Sequence, residues 1–262
     1  MLTDTPPPNT AQPSASAAAP AASTAPRTLV ERAYLDLRQD IISGQLPPGA
    51  RLRVEHLKDR YEVGAGTLRE ALMRLVSDAL VIAEGQRGFR VTTISLADLH
   101  DVTATRAHLE IEALRRAIRQ GGSVWEQHLQ QAYTRLCEAE RRPGGIDPTA
   151  WEAANQHFHR ALIAAHDSPW SKHLLAILYH QSERYRYVAL RLSPEQNLGR
   201  DAHREHTDIY QAALARQEAR AALALESHIW LTFDLLKTML QAQSQTDLPP
   251  APSGRRPAQP QR

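Results

Sequence analysis

The chain has 262 residues, enough for two domains of ordinary size, and its composition (42% hydrophobic, 5% aromatic) favours helix. Its 31 Lys/Arg against 29 Asp/Glu leave a net charge of +2, too small for anything held to a polyanion by bulk charge alone. No run of about 18 apolar residues occurs, so no membrane span is expected, and the N-terminus lacks the basic-then-apolar order of a secretory signal. A single cysteine, Cys137, cannot close an internal disulfide and suits a reducing, cytoplasmic setting.

Residues 1–27 are rich in Pro, Ala, Ser and Thr and cannot bury enough apolar surface to fold, so a disordered leader is expected there. The same holds for a tail over 244–262, which contains PPAPSGRRPAQPQR. Thr28–Ile42 reads as a first helix, with Val30, Tyr34, Leu37 and Ile41 on one side, ended by Leu46-Pro47-Pro48-Gly49. Val54, Leu57 and Tyr61 fit a short second helix, and Gly64 and Gly66 supply a turn. Leu68, Leu72, Leu75 and Val76 then form the apolar face of a third helix. Leu80-Val81-Ile82 and Phe89-Arg90-Val91 read as two strands around a basic turn at Glu84–Arg87 and Gly88.

Two short helices joined through glycine are a helix-turn-helix pattern, and the strand pair after them is a wing. Residues 28–93 are therefore expected to form a winged helix-turn-helix. Ten Lys/Arg against nine Asp/Glu in Thr28–Thr92 mean that duplex DNA would be held by the placement of charge. The backbone at Gly66, Thr67 and Leu68 opens a helix and is suited to phosphate. Arg69 and Arg74 are the candidates for groove or backbone contacts, Arg69 first. Arg87, Gly88 and Arg90 would serve the wing, and Arg53, Lys58 and Arg60 would touch phosphates.

From Ser95 to Leu240 only helical patterns appear, and Ser95-Leu96-Ala97-Asp98 has the spacing of a capping box. The helices run roughly Ser95–Arg119, Val124–Arg141, Pro148–His166, Pro169–Leu192, Glu195–Arg216 and Gln217–Leu240. Breaks fall at Gly121-Gly122, Pro143-Gly144-Gly145, Asp167-Ser168-Pro169 and Ser193-Pro194. The fold class is mainly α, a winged helix with a small β wing followed by an all-α bundle over 94–243. The two regions are expected to join with little or no flexible linker.

Asn155 and His159 share a helix face at i and i+4, at the edge of its buried side. His206 lies on a stripe with Ile209 and Ala213, and His228 on one with Ala224, Leu231 and Leu235. Three inward histidines are either hydrogen-bonded core residues or a metal site. His100, His108, His128 and His180 fall mostly on solvated faces. Arg106 sits one turn before Glu110, as an ordinary helix ion pair or as a bidentate clamp for a carboxylate. Arg184, Arg186 and Arg191, interleaved with Tyr185 and Tyr187, form either a solvated face or an acid-binding one.

The residues SGQLPPGARL (Ser43–Leu52), LREALMRL (Leu68–Leu75) and GFRV (Gly88–Val91) resemble the DNA-binding domain of the GntR family of bacterial transcription regulators. The bundle resembles the FCD effector domain of the FadR-type branch, through NQHFH, REHTDIY and ESHIW. That resemblance implies a divalent metal on Asn155, His159, His206 and His228, with Zn²⁺ expected and Ni²⁺ or Mn²⁺ as alternatives. Asn155 stands where the family usually has aspartate, a stronger ligand. It also implies a homodimer on a palindromic operator, and a small carboxylate effector held near Arg106, with Arg184 and Tyr185 as further candidates. VGAGTLREAL with RYRYVALR is similar to regulators of glutarate and related dicarboxylate catabolism. Gly64-Ala65-Gly66-Thr67 replaces the family's common Ser-Arg-Thr-Pro, so the operator cannot be carried over. The reading is a repressor and not an enzyme. Two alternatives stand beside it. One is a regulator with a structural metal or none, and no effector. The other is a helical metal-dependent hydrolase with Glu205 or Glu152 as base, although no motif such as HExxH supports it.

Overall fold

A computed structural model describes residues 28–141, 147–192 and 201–246. The expected leader, most of the expected tail and the breaks at Pro143-Gly144-Gly145 and Ser193-Pro194 lie outside the described residues. Helix α1 (Leu29–Ile42) starts where the Thr28 hydroxyl accepts from the Glu31 N–H, and it buries Ala33, Leu37, Ile41 and Ile42. Gly49, at φ +78°, turns the chain into β1 (Arg51–Leu52). Helices α2 (Val54–Tyr61) and α3 (Ala65–Ser77) follow, then β2 (Val81–Ala83), a short 3₁₀ turn (Gly85–Arg87) and β3 (Phe89–Val91).

The three strands form an antiparallel sheet in the order β1-β3-β2, with Val81 opposite Val91 and Leu52 opposite Phe89. The third strand was not expected from the sequence, because two residues are too short to show a period. Helix α3 buries Leu68, Ala71, Leu72 and Leu75 against α1 and α2, each leucine contributing about 1.5–3 kcal/mol. The turn between α2 and α3 is not made by its glycines. Glu62 takes the left-handed conformation (φ 53°) as the cap of α2, whereas Gly64 is an extended N-cap and Gly66 lies in the first turn of α3. A side chain there costs about 1–2 kcal/mol, so the packing of α2 on α3 holds Glu62 in place.

The remainder is helical, as expected: α4 (Leu96–Gln120), α5 (Ser123–Glu140), α6 (Pro148–Leu162), α7 (Pro169–Leu192), α8 (Ala202–Leu214) and α9 (Glu218–Thr246). Ser95 caps α4, its hydroxyl accepting from the Asp98 N–H. Asp201 caps α8 by accepting from Arg204; the part of the expected helix over 195–200 lies outside the described residues, and α9 runs beyond the expected limit at 243. One core joins α4, α5, α6, α7, α8 and α9 through residues such as Leu114, Leu129, Phe158, Leu175, Ile209 and Leu225.

The connection from β3 to α4 is held by α7. Arg184, fully buried, donates to the carbonyls of Thr92 (2.8 Å) and Thr93 (3.3 Å). The Tyr185 hydroxyl accepts from the Ser95 N–H (3.1 Å) and donates to Asp98 (2.5 Å). One turn earlier, the Gln181 amide donates to the carbonyl of Asp78, which caps the recognition helix α3.

Candidate metal centre and DNA-binding surface

Helix α6 carries His159, α8 carries His206 and α9 carries His228. All three are buried, and one ligand nitrogen of each lies within 4.8 Å of the others. The ring centres are 6.0 Å (His159–His206), 5.1 Å (His159–His228) and 4.7 Å (His206–His228) apart. The helices converge because His159 and His206 both pack edge-on against the same core ring, Phe158. The buried stripe of α9 runs through Ala221, Leu225, His228 and Ile229; Leu231, expected on that stripe, is exposed.

Each imidazole is oriented by a glutamate from a different helix. His159 Nδ1 donates to Glu110 of α4 (2.7 Å), His206 Nδ1 to Glu140 of α5 (3.0 Å) and His228 Nδ1 to Glu205 of α8 (2.8 Å). An ionised carboxylate can only accept, so each Nδ1 carries the proton and each Nε2 keeps its lone pair. Burial pushes the Glu110 carboxyl up, but the Arg106 guanidinium and His159 outweigh it and hold the group at about 2. Burial pushes His159 down to about 4, against the opposing pull of Glu110, so the imidazole is neutral at pH 7. Glu140 is also held below the usual carboxylate range, because its bonds to His206 and His203 outweigh its burial.

The donor set fits a divalent cation. The Nε2 atoms of His159 and His206 and the Asn155 oxygen are buried and make no hydrogen bond among the described residues. A buried lone pair without a partner costs about 1–3 kcal/mol, and a metal ion would satisfy several at once. Charge points the same way. Four carboxylates, Glu110, Glu140, Glu152 and Glu205, surround the cluster, with Arg106 and Arg186 bonded to two of them, a surplus of acidic groups that suits a divalent cation.

A cavity of about 110 Å³ opens on this cluster, lined by Arg106, Asn155, Arg186, the three histidines and an apolar wall that includes Trp151, Leu235 and Met239. Arg106 is bound through Nε to Glu110 (2.8 Å), and its guanidinium lies 4.8 Å above the Tyr179 ring. Arg106 is therefore the helix ion pair that one of its two readings expected, and it also lines the cavity. The structure does not bring Arg184 or Tyr185 here. A 100° step per residue turns them to the opposite side of α7, where they clamp the connection to the winged helix, and it is Arg186, bound to Glu152, that reaches the cavity. His180, expected on a solvated face, is buried at the same junction, and burial lowers it to about 4.

The sequence missed Glu110 and Glu140 as supports of the histidines. Glu110 left a trace, since it stands with Arg106 on the otherwise apolar stripe Leu99, Ala113, Leu114 and Ala117 of α4. Glu140, in the last turn of α5, left none.

On the winged helix, Arg69, Arg53 and Arg87 are exposed, and their side chains form no hydrogen bond or ion pair among the described residues. Thr67 and Gly66 lie in the first turn of α3, where unsatisfied N–H groups face outward. Lys58 pairs with Glu55 (2.9 Å) and Arg74 with Glu70 (3.0 Å), both exposed pairs of little strength. Arg90 and Arg60 are otherwise engaged. Arg90 bonds Glu84 (2.5 Å) and the Gly49 carbonyl (2.9 Å), and Arg60 bonds Asp40 (2.5 Å). Gly88, at φ +89°, is required by the wing turn itself.

A winged helix with exposed arginines on and around its recognition helix, held by buried main-chain contacts to an all-α bundle whose cavity is lined by histidines and arginines, is the architecture of a DNA-binding transcriptional regulator. The chain belongs to the gntR family of bacterial regulatory proteins: residues 29–91 match that family and residues 101–230 match the FCD domain. It is 44% identical over 208 residues to the uncharacterized HTH-type transcriptional regulator BphR of Paraburkholderia xenovorans (strain LB400), covering 78% of this chain and 83% of that one. It is 35% identical over 204 residues to the HTH-type transcriptional repressor GlaR of Escherichia coli (strain K12), covering 75% and 90%. Among solved structures, E. coli McbR/YncC has the same fold (TM-score 0.68, 20% identity, covering 81% of this chain and 99% of that one). The family and these relatives are transcriptional regulators, so the chain is not an enzyme and the hydrolase alternative falls.

Proposed function

We propose that the chain is a cytoplasmic, homodimeric repressor whose affinity for a palindromic operator is set by a small carboxylate metabolite bound beside a divalent metal. In this reading 28–93 reads DNA and 94–243 holds metal and effector and makes the dimer. Asn155, His159, His206 and His228 would hold the ion. Three imidazoles with one amide oxygen suit Zn²⁺, with Ni²⁺ or Mn²⁺ as alternatives. Such an ion supplies a Lewis-acidic anchor for one carboxylate oxygen. Arg106 and Arg186 line the same cavity and offer guanidinium N–H groups for the acid. A dicarboxylate of a few heavy atoms suits a cavity of about 110 Å³. The name of the E. coli relative, a transcriptional repressor, supports the direction of control.

DNA contacts would come from Arg69, Arg53, Arg87 and the N–H groups at Gly66 and Thr67, with Lys58 and Arg74 free to exchange their weak pairs for phosphate. Arg90 would shape the wing through Glu84 and Gly49. The observation that carries the proposal is the three-histidine cluster with a carboxylate behind each Nδ1, opening on a cavity that contains two arginines. The test is fluorescence anisotropy with labelled DNA from the gene's own upstream region at fixed salt, using metal-loaded and metal-free protein and a panel of small dicarboxylic acids. One acid should shift the titration, and only with metal present. Tight DNA binding indifferent to every acid and to metal would overturn the effector reading and leave a structural metal or none. Unfolding on metal removal would also mark the metal as structural.

A further inference from the structure

A second cluster of ligand-type side chains lies on the outer side of the histidine site. Cys137 and Glu140 are one turn apart on α5, and His203 is in the first turn of α8. One ligand atom of each lies within 4.8 Å of the others. The cluster is not independent of the inner site, because Glu140 serves both. Its Oε1 accepts from His206 Nδ1 (3.0 Å), and its Oε2 accepts from His203 Nδ1 (2.6 Å). Exposure grades outward through the shared residue. The side chain of His206 is 1% exposed, that of Glu140 7% and that of His203 34%, so His203 stands at the rim. The remaining nitrogen of His203 is met by exposed Arg141 (3.1 Å).

We propose that Cys137, Glu140 and His203 form a second, outer metal site for borderline divalent ions such as Zn²⁺, Co²⁺ or Cd²⁺, coupled to the inner site through Glu140. One sulfur, one imidazole nitrogen and one carboxylate oxygen are a donor set for ions of that softness, and partial exposure leaves a position for water. Loading requires the thiol proton to leave to solvent and the His203 ring proton to pass from Nδ1, where it is donated to Glu140, to Nε2, so that Nδ1 and the Glu140 Oε2 both face the ion. Arg141, at the surface, can swing away at little cost. An ion drawn onto Glu140 from outside also changes the acceptor that sets the orientation of His206, so each site should alter the affinity of the other.

The experiment is a Co²⁺ titration of metal-free, full-length protein kept reduced with a phosphine. The inner site offers nitrogen and oxygen only, whereas the outer one offers a thiolate, whose charge-transfer absorption in the near ultraviolet is specific to it. Wild type should bind two Co²⁺ per chain and show that absorption. Cys137→Ser should lose the absorption and one of the two ions. His203→Ala should lose the absorption although the thiol remains, which separates a built site from a merely exposed cysteine. His159→Ala should keep the absorption while the inner ion is lost. Thermal melts of the metal-free variants check that each is folded. A Co²⁺-saturated wild type without thiolate absorption, or a His203→Ala protein that retains it in full, would overturn the proposal. One Co²⁺ per chain with full thiolate absorption would support the outer site and count against the inner one.

Discussion

The support behind the inner site can be tested with Glu110→Gln, a change of one atom that leaves volume intact. Glu110 accepts from Arg106 Nε (2.8 Å) and from His159 Nδ1 (2.7 Å), one on each carboxylate oxygen. A glutamine can accept on one side only, so its NH₂ must face a donor on the other. If the NH₂ faces His159, the imidazole changes tautomer, Nδ1 becomes the acceptor, and the proton on Nε2 takes the lone pair a metal needs. If it faces Arg106, a buried guanidinium loses its counter-charge. Losing one partner of a buried pair costs about 3–5 kcal/mol, and losing the support behind a metal-bound histidine weakens the metal about 10–100-fold, or roughly 1.4–2.7 kcal/mol. Urea unfolding of the metal-free proteins reads the first number, and Zn²⁺ titration against a competing chelating dye reads the second. A Glu110→Gln protein with wild-type stability and wild-type Zn²⁺ affinity would refute the assignment of Glu110 as the hinge between Arg106 and the metal centre.

His206→Ala should abolish metal retention, read by metal content after gel filtration; a normal content would sink the inner site. Arg69→Ala should cost roughly 1–3 kcal/mol of specific DNA binding if it reads a base, by anisotropy at fixed salt, and an unchanged affinity would remove it from the interface. Gly66→Ala should raise stability by about 0.4–1 kcal/mol, since Gly66 is helical and a Cβ there meets nothing within 4 Å, while weakening DNA binding; equal affinity would show that no phosphate approaches that turn. Acid should destabilise the metal-free protein. His159 binds its proton more weakly when folded (about 4 against 6.5), so the unfolded chain takes up protons first as pH falls from 6.5 to 4, costing on the order of 3 kcal/mol. Glu110, at about 2 against 4.5, adds a loss of the same sign between pH 4.5 and 2; a urea-unfolding profile flat from pH 7 to 4 would contradict the first loss, and one flat from 4.5 to 2 the second.

The helices were legible because their apolar residues recur at the helical period, as in Leu68, Leu72 and Leu75, and because Ser95 and Asp98 carry a cap. The three histidines were legible because each sits on or beside a buried stripe. Which side of α7 meets which neighbour was not legible. Arg184 and Arg186 are two residues apart and carry the same guanidinium, and only packing turns one arginine to the cavity and the other to the Thr92 and Thr93 carbonyls. Glu140 and β1 were hidden for the opposite reason, since a carboxylate in a last helical turn and a two-residue strand have no local pattern. The turn glycines misled because Gly64 and Gly66 follow the bend at Glu62 and do not make it.

The grip of α7 on the winged helix is addressed to main-chain atoms. Gln181 takes the Asp78 carbonyl, Arg184 takes those of Thr92 and Thr93, and Tyr185 holds the Ser95 amide. None of these bonds depends on which side chains the reading head carries. A bundle that recognises only backbone at its joint leaves the head free to drift toward new operators, one substitution at a time, without disturbing the joint that couples it to the bundle.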